Sequence, residues 1–264
     1  WYAAPDEWTS LIIAAWMVVF AAGGFSVFRA TARREPFYLY LGVSIAMLAA
    51  ATAAELDGAL LTIAYTIESA FVPIIVYAVL KNREQSEVLS LLLIGPIILS
   101  LTSVTASVWR DSIFHKHFFV LFILALALFG LSGFFLKLMG QESGGRSSAM
   151  GRAGTVAGSL YAYALLWLSL HAALQNDDTA VMTALVIYTI VGLAAYFYGS
   201  INQAKPHLAY GGTLLAFVVG RLLLVDVWQM ELTGKITTFF LIGALLVSTA
   251  FIGRNKKEPV MSNQ

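Results

Sequence analysis

Nine long apolar runs, almost uninterrupted by charge, constrain this chain more than any other feature. They lie at about residues 8–28, 37–54, 58–80, 87–108, 117–138, 154–174, 179–199, 208–227 and 235–253. A helix needs roughly 20 mostly apolar residues to cross the hydrocarbon of a bilayer. Inside lipid every backbone N–H and C=O must be satisfied within its own segment, so runs of this kind predict helices. Composition agrees: 12% of the 264 residues are charged, against about 25% in an ordinary soluble domain. The expected fold is all-α, a polytopic transmembrane helix bundle of about nine spans whose first partner is the lipid bilayer.

Sixteen Lys and Arg balance fifteen Asp and Glu, which leaves no basic face for a nucleic acid. The chain has no cysteine, so disulfides, thiolate nucleophiles and Cys-ligated metals are excluded. The loops are unequal in basic residues. Alternate loops, starting after the first run, hold Arg29, Arg33, Arg34, Lys81, Arg83, Lys137, Arg146, Arg152, Lys205, Arg254, Lys256 and Lys257, whereas the other side holds Arg110, Lys116 and Lys235. Basic loops stay in the cytoplasm, so the N-terminus is expected outside and the C-terminus inside. Asp6, Glu7, Glu55, Asp57, Asp177 and Asp178 then collect on the outer side.

An internal repeat is legible at an offset of about 121–123. Tyr38 and Tyr40 recur as Tyr161 and Tyr163, Tyr65-Thr66-Ile67 as Tyr188-Thr189-Ile190, and Phe118-Phe119 as Phe239-Phe240. The offset lays spans 2–5 on spans 6–9 in matching orientation, as in a parallel repeat about an axis along the membrane normal. The expected organisation is a leading span over 1–35 that ends a preceding repeat, and a first four-helix repeat over 36–139. A cytoplasmic Gly/Ser linker over 140–152 follows, then a second four-helix repeat with its cytoplasmic tail over 153–264.

Three stretches carry a family resemblance. They are Leu56-Asp57-Gly58 with Ile63-Ala64-Tyr65-Thr66-Ile67-Glu68, then Gly220-Arg221-Leu222-Leu223-Leu224-Val225-Asp226-Val227-Trp228, and Lys235-Ile236-Thr237-Thr238-Phe239-Phe240-Leu241-Ile242-Gly243. Together they resemble the C-terminal part of a family of long, many-pass bacterial inner-membrane proteins of unknown function. The resemblance covers residues 36–258, and its C-terminal block is the most specific part. The family's closing helix more often begins Arg-Ile, where this chain has Lys235. The resemblance implies a bacterial inner membrane and a position at the end of a longer array of spans. It lends no activity.

Ionisable groups within spans are costly and are the first functional candidates. Glu68 lies ten residues into span 3, about 15 Å down at about 1.5 Å per residue. Arg221 lies near the outer end of span 8, and Asp226 follows it at the edge. Glu68 and Arg221 have no charged counterpart in the other repeat, where Val191 and Ser100 stand. Pairing across the bundle is expected, either as a structural clamp or as a proton or substrate site, with Asp226 and Asp57 in support. The alternative is separate satisfaction, with Glu68 protonated and Arg221 snorkelling outward.

Small residues mark packing faces in lipid. Gly154 and Gly158 make a small-xxx-small step in span 6, and Gly42, Ala46, Ala50 and Ala54 make a ladder in span 2. These two spans are therefore expected to be central in their halves. Pro73 and Pro96 are expected to kink spans 3 and 4. His115, His117 and His171 fall on the outer side without a converging set, so no metal or other cofactor is expected. Gly140 to Ser147 has phosphate-loop spacing with Arg146 in the lysine position, but a span precedes it where that loop requires a strand.

The residues offer no nucleophile–base pair, and an enzyme is not expected. A membrane scaffold or assembly domain of the cell envelope, partnered by other envelope proteins or by the rest of a longer chain, is the leading expectation. The alternative is a transporter or flippase of small polar or lipid-linked cargo, with Glu68 at the midplane. A water-filled cavity reaching Glu68 favours the second; a dry, close-packed centre favours the first.

Overall fold

The computed structural model describes residues 6–31, 33–110, 112–141, 149–174, 176–221 and scattered positions between 224 and 247. The described residues are all-helical and contain no strand. Seven helical stretches are long and apolar enough to cross a membrane: Trp8–Thr31, Glu35–Glu55, Gly58–Leu80, Arg83–Val104, Lys116–Leu138, Ala149–Ala173 and Asp177–Ile201. They match the first seven expected spans. The eighth is described as a 17-residue helix ending at Arg221, and the ninth lies mostly outside the described residues.

The chain divides into two compact units, one of Trp1–Ala106 with Phe114–Ala162 and one of Ser107–Ile113 with Tyr163–Gln264. The first holds α1 (Asp6–Thr31), α2 (Arg34–Glu55), α3 (Gly58–Leu80), α4 (Arg83–Leu89), α5 (Ile94–Val104), α6 (Lys116–Gln141) and the start of α7 (Ala149–Ala173). The second holds the rest of α7, α8 (Asp177–Ile201) and α9 (Lys205–Arg221). The boundary thus falls within α7. The expected linker is shorter than its Gly and Ser content suggests: α6 runs through Gly140, and α7 already includes Arg152. The phosphate-loop-like stretch falls largely on residues outside the described set.

Local chemistry sets the helix ends. Gly58 opens α3 at φ +52°, a left-handed backbone that favours a residue without Cβ. Asp57 before it is exposed, and its side chain makes no cap bond. Asn82 and Asn176 cap α4 and α8: their Oδ1 atoms accept from the backbone N–H of Gln85 at 3.3 Å and of Thr179 at 3.2 Å. Asp177 and Asp178 add negative charge to the first turn of α8, where the helix dipole favours it.

In the first unit the core gathers on α6. Leu124, Leu128, Leu131 and Phe135 are buried with Leu93, and Ile74 of α3, Ile97 of α5 and Tyr161 of α7 pack on them. A second cluster joins Phe37 of α2 to Val76 and Leu80 of α3, with Phe28 and Leu41 against it. The expectation that span 2 is central is corrected here. Gly42, Ala46, Ala50 and Ala54 are exposed, and a Cβ at Gly42 would meet nothing within 4 Å. Helix α2 instead meets α1 through Gly24, where a Cβ would come within 2.8 Å of Tyr40 Cβ. A period of small residues permits close approach without requiring it. Gly154 and Gly158 do lie against α6: a Cβ at either would sit 3.2 Å from Ser132 or from the Phe129 ring.

In the second unit α8 and α9 pack closest. A Cβ at Gly199 would lie 2.3 Å from Leu208 N, and one at Gly211 would lie 2.4 Å from Tyr196 N. Ala184, Leu185, Tyr188 and Val218 form the buried core, with Tyr163, Trp167 and Leu170 of α7 against it.

Candidate functional site

Buried hydroxyls in a lipid-facing bundle need partners, because the surroundings supply none. In the first unit they find them. Ser44 Oγ donates to Met17 O at 3.2 Å, tying α2 to α1. Ser132 Oγ donates to Gly151 O at 2.6 Å, tying α6 to α7. Ser100 and Tyr161 share a hydrogen bond of 2.6 Å between α5 and α7. Ser10 Oγ donates to the Glu55 carboxylate at the end of the α1–α2 hairpin.

The two expected proline kinks differ in outcome. Helix α3 continues through Pro73 without a break. A 3-10 turn over Ser90–Leu93 separates α4 from α5 just before Pro96. Having no N–H, Pro96 leaves the Leu92 carbonyl without its helical donor. Ser69 Oγ of α3 points its donor at that carbonyl from 3.4 Å, a weak contact beyond the usual O–H···O range of about 2.5–3.0 Å. In return, fully buried Ser86 of α4 donates to Pro73 O at 2.7 Å.

Glu68 stands beside Ser69, in the middle of α3. Thr52 Oγ1 of α2 donates to Glu68 Oε1 at 2.5 Å. One turn earlier, Tyr65 OH donates to Ala49 O of α2 at 2.9 Å. Around these groups lies a cleft of about 230 Å³. Ile45, Leu48 and Ala49 of α2 form one wall, and Tyr65, Glu68, Ser69 and Val72 of α3 the second; Leu92, Gly95 and Pro96 close it. The lining is mostly apolar and includes no Lys, Arg or His. A mid-span carboxyl group therefore faces open space, with one hydroxyl donor from the neighbouring helix.

Arg221 belongs to the second unit. It is the last described residue of α9. Its guanidinium lies over the Trp167 ring at 3.9 Å from the centroid, a cation–π contact. Beside it, Tyr188 OH donates to Tyr163 O at 2.6 Å, and the Tyr163 and Tyr210 hydroxyls share a bond of 2.6 Å. Glu68 and Arg221 thus sit in different units, and each has a partner inside its own. Asp226 lies outside the described residues, and Asp57 does not line the cleft.

The histidines take structural contacts. The His117 Nδ1 and Ser103 Oγ are 3.0 Å apart, and the His171 Nδ1 lies 2.9 Å from Trp167 O. No group of three or more His, Asp or Glu side chains able to hold a metal ion occurs among the described residues.

Sequence reasoning reached Glu68 and both prolines but missed Thr52, Tyr65 and Ser69. Thr52 and Ser69 are unremarkable within an apolar run, Tyr65 stood out only through the repeat and the family resemblance, and the rotation of α2 against α3 selects all three. No protein-family model, curated protein or solved structure matches this chain.

Proposed function

We propose that this chain is a multi-pass protein of a bacterial inner membrane, with its N-terminus outside, that carries small polar cargo and uses Glu68 as the cargo or proton site. The cleft at Glu68 carries the reading. A purely structural bundle has every reason to close over a carboxyl group in mid-span, because an ionisable group there is costly unless it works. Here about 230 Å³ is left open beside it. The orientation rests on the asymmetry of basic loops, and the compartment on the family resemblance.

The scaffold reading stands second, and one observation favours it. The seams between α6 and α7 and between α8 and α9 are built on glycines too closely approached to admit a Cβ freely. That is the packing of rigid, permanent contacts.

The absence of native cysteine makes the test clean. Ser69→Cys and Ala49→Cys place thiols on opposite walls of the cleft, and Leu124→Cys in the fully buried core is the control. A membrane-impermeant thiol reagent is applied to oriented vesicles from each side in turn. A carrier exposes the cleft thiols to both sides while Leu124→Cys stays unlabelled. Labelling from one side only, or from neither, overturns the carrier reading.

A further inference from the structure

We propose that the Glu68 cleft binds a small primary ammonium compound with a compact apolar body. This deepens the carrier reading by naming its cargo class, and for any role in transport it rests on that reading.

The polar groups that border the cleft are short of donors. Glu68 receives a hydrogen bond from Thr52 on one carboxyl oxygen. The Leu92 carbonyl, deprived of its α-helical donor by Pro96, is left with the Ile94 N–H of the 3-10 turn and a long contact from Ser69. The Tyr65 hydroxyl has its one donor committed to Ala49 O. An ammonium group is the complement: three donors, no acceptor, one positive charge. No Lys, Arg or His among the lining residues supplies that charge from the protein. In a low-dielectric site an ionised carboxylate is strongly disfavoured without a partner, and a cationic guest provides one.

Size and wall chemistry set the rest of the molecule. A cavity of about 150 Å³ accommodates benzene. In proportion, the 230 Å³ here takes a guest of about nine non-hydrogen atoms. Ile45, Leu48, Val72 and Pro96 give it apolar walls, which suit an alkyl or aryl body. A bare metal cation fits less well, since a hard cation wants about six oxygen ligands and the cleft offers fewer.

The test uses the full chain in nanodiscs, with phenethylammonium chloride as probe, titrated by calorimetry against an empty-nanodisc blank. Its neutral isostere 2-phenylethanol and sodium chloride are the comparisons. Saturable binding of phenethylammonium is expected, at least tenfold tighter than the alcohol. Glu68→Gln should weaken it tenfold or more, and Ala49→Leu, which fills the cleft, should weaken ammonium and alcohol together. Equal affinity for ammonium and alcohol overturns the inference, as does sodium binding that phenethylammonium does not displace. Unchanged binding in Ala49→Leu also overturns it, and that variant decides the matter if Glu68→Gln does not fold. Protection of Ser69→Cys separates this inference from the carrier reading. A thiol labelled from both sides but unprotected by phenethylammonium refutes the amine site and leaves the carrier. Saturable binding with labelling from one side only supports the amine site and removes the carrier.

Discussion

Replacing Gly211 with alanine tests the closest helix contact in the second unit. A Cβ there would lie 2.4 Å from Tyr196 N, 2.6 Å from Gly192 O and 2.8 Å from Tyr196 Cα. All three are backbone atoms of α8, so no side-chain rotation relieves the clash. To restore ordinary contact α9 must withdraw by about 1 Å, and overpacking of this kind costs about 1–3 kcal/mol. Alanine also gains about 0.8–1.0 kcal/mol over glycine in a helix interior, which partly masks the loss. Gly212 supplies the control, because it shares the helix and a Cβ there meets nothing within 4 Å. Propensity cancels between Gly211→Ala and Gly212→Ala, so their difference reads the clash alone, about 1–3 kcal/mol. Thermal unfolding in detergent, followed by circular dichroism, should place Gly212→Ala at or above the parent and Gly211→Ala several degrees below it. Coincident transitions for the two variants would refute the α8–α9 contact.

Two further substitutions read the first unit by the same assay. Ser86→Ala removes the fully buried hydroxyl that donates to Pro73 O and should cost about 0.6 kcal/mol, the average for hydrogen bonds between membrane helices, and at most about 1.7; an unchanged transition means the bond contributes nothing. Gly154→Ala forces a Cβ to 3.2 Å from Leu128 O and Ser132 Cβ, whereas Gly42→Ala meets open space. The first should therefore lower the transition and the second should not, and the reverse order would restore α2 as the packing helix.

The helical, membrane-spanning character was legible because it depends on properties of single segments: length, apolarity and the sparing use of charge. Glu68 was legible for the same reason, since a carboxyl ten residues into an apolar run stands out in one dimension. Contacts were not. The ladder from Gly42 to Ala54 has the period of a packing face yet is exposed, while Gly199 and Gly211 make the tightest approaches without a four-residue period between them. Which face of a helix meets a neighbour depends on its rotation, and hydrophobicity fixes rotation only where one side is wet. Every face of a lipid-embedded helix can be apolar, so that signal is missing. Pro96 was legible for a local reason. Its ring and missing N–H disturb the turn before it, and the departure from α geometry falls there, over Ser90–Leu93.

The prolines also explain which wall of the cleft is fixed. Ser86 of α4 reaches the Pro73 carbonyl of α3, and Ser69 of α3 reaches the Leu92 carbonyl ahead of Pro96. The two proline-bearing spans are thereby pinned to each other in both directions, and α6 packs against both through Ile74, Leu93 and Ile97. The opposite wall, α2, is held differently. Its N-terminal half packs on α3 through Phe37 and Leu41, while its C-terminal half is joined to α3 by the Tyr65–Ala49 and Thr52–Glu68 hydrogen bonds. Two hydrogen bonds averaging about 0.6 kcal/mol each are within reach of thermal opening; an interlocked aromatic cluster is not. On the carrier reading the movable wall is therefore the C-terminal half of α2, beyond the packed Phe37 and Leu41. A carboxylate accepts on both oxygens, so a guest ammonium can engage Glu68 while Thr52 keeps its bond to Oε1, and occupancy of the cleft then draws both walls to one carboxyl group.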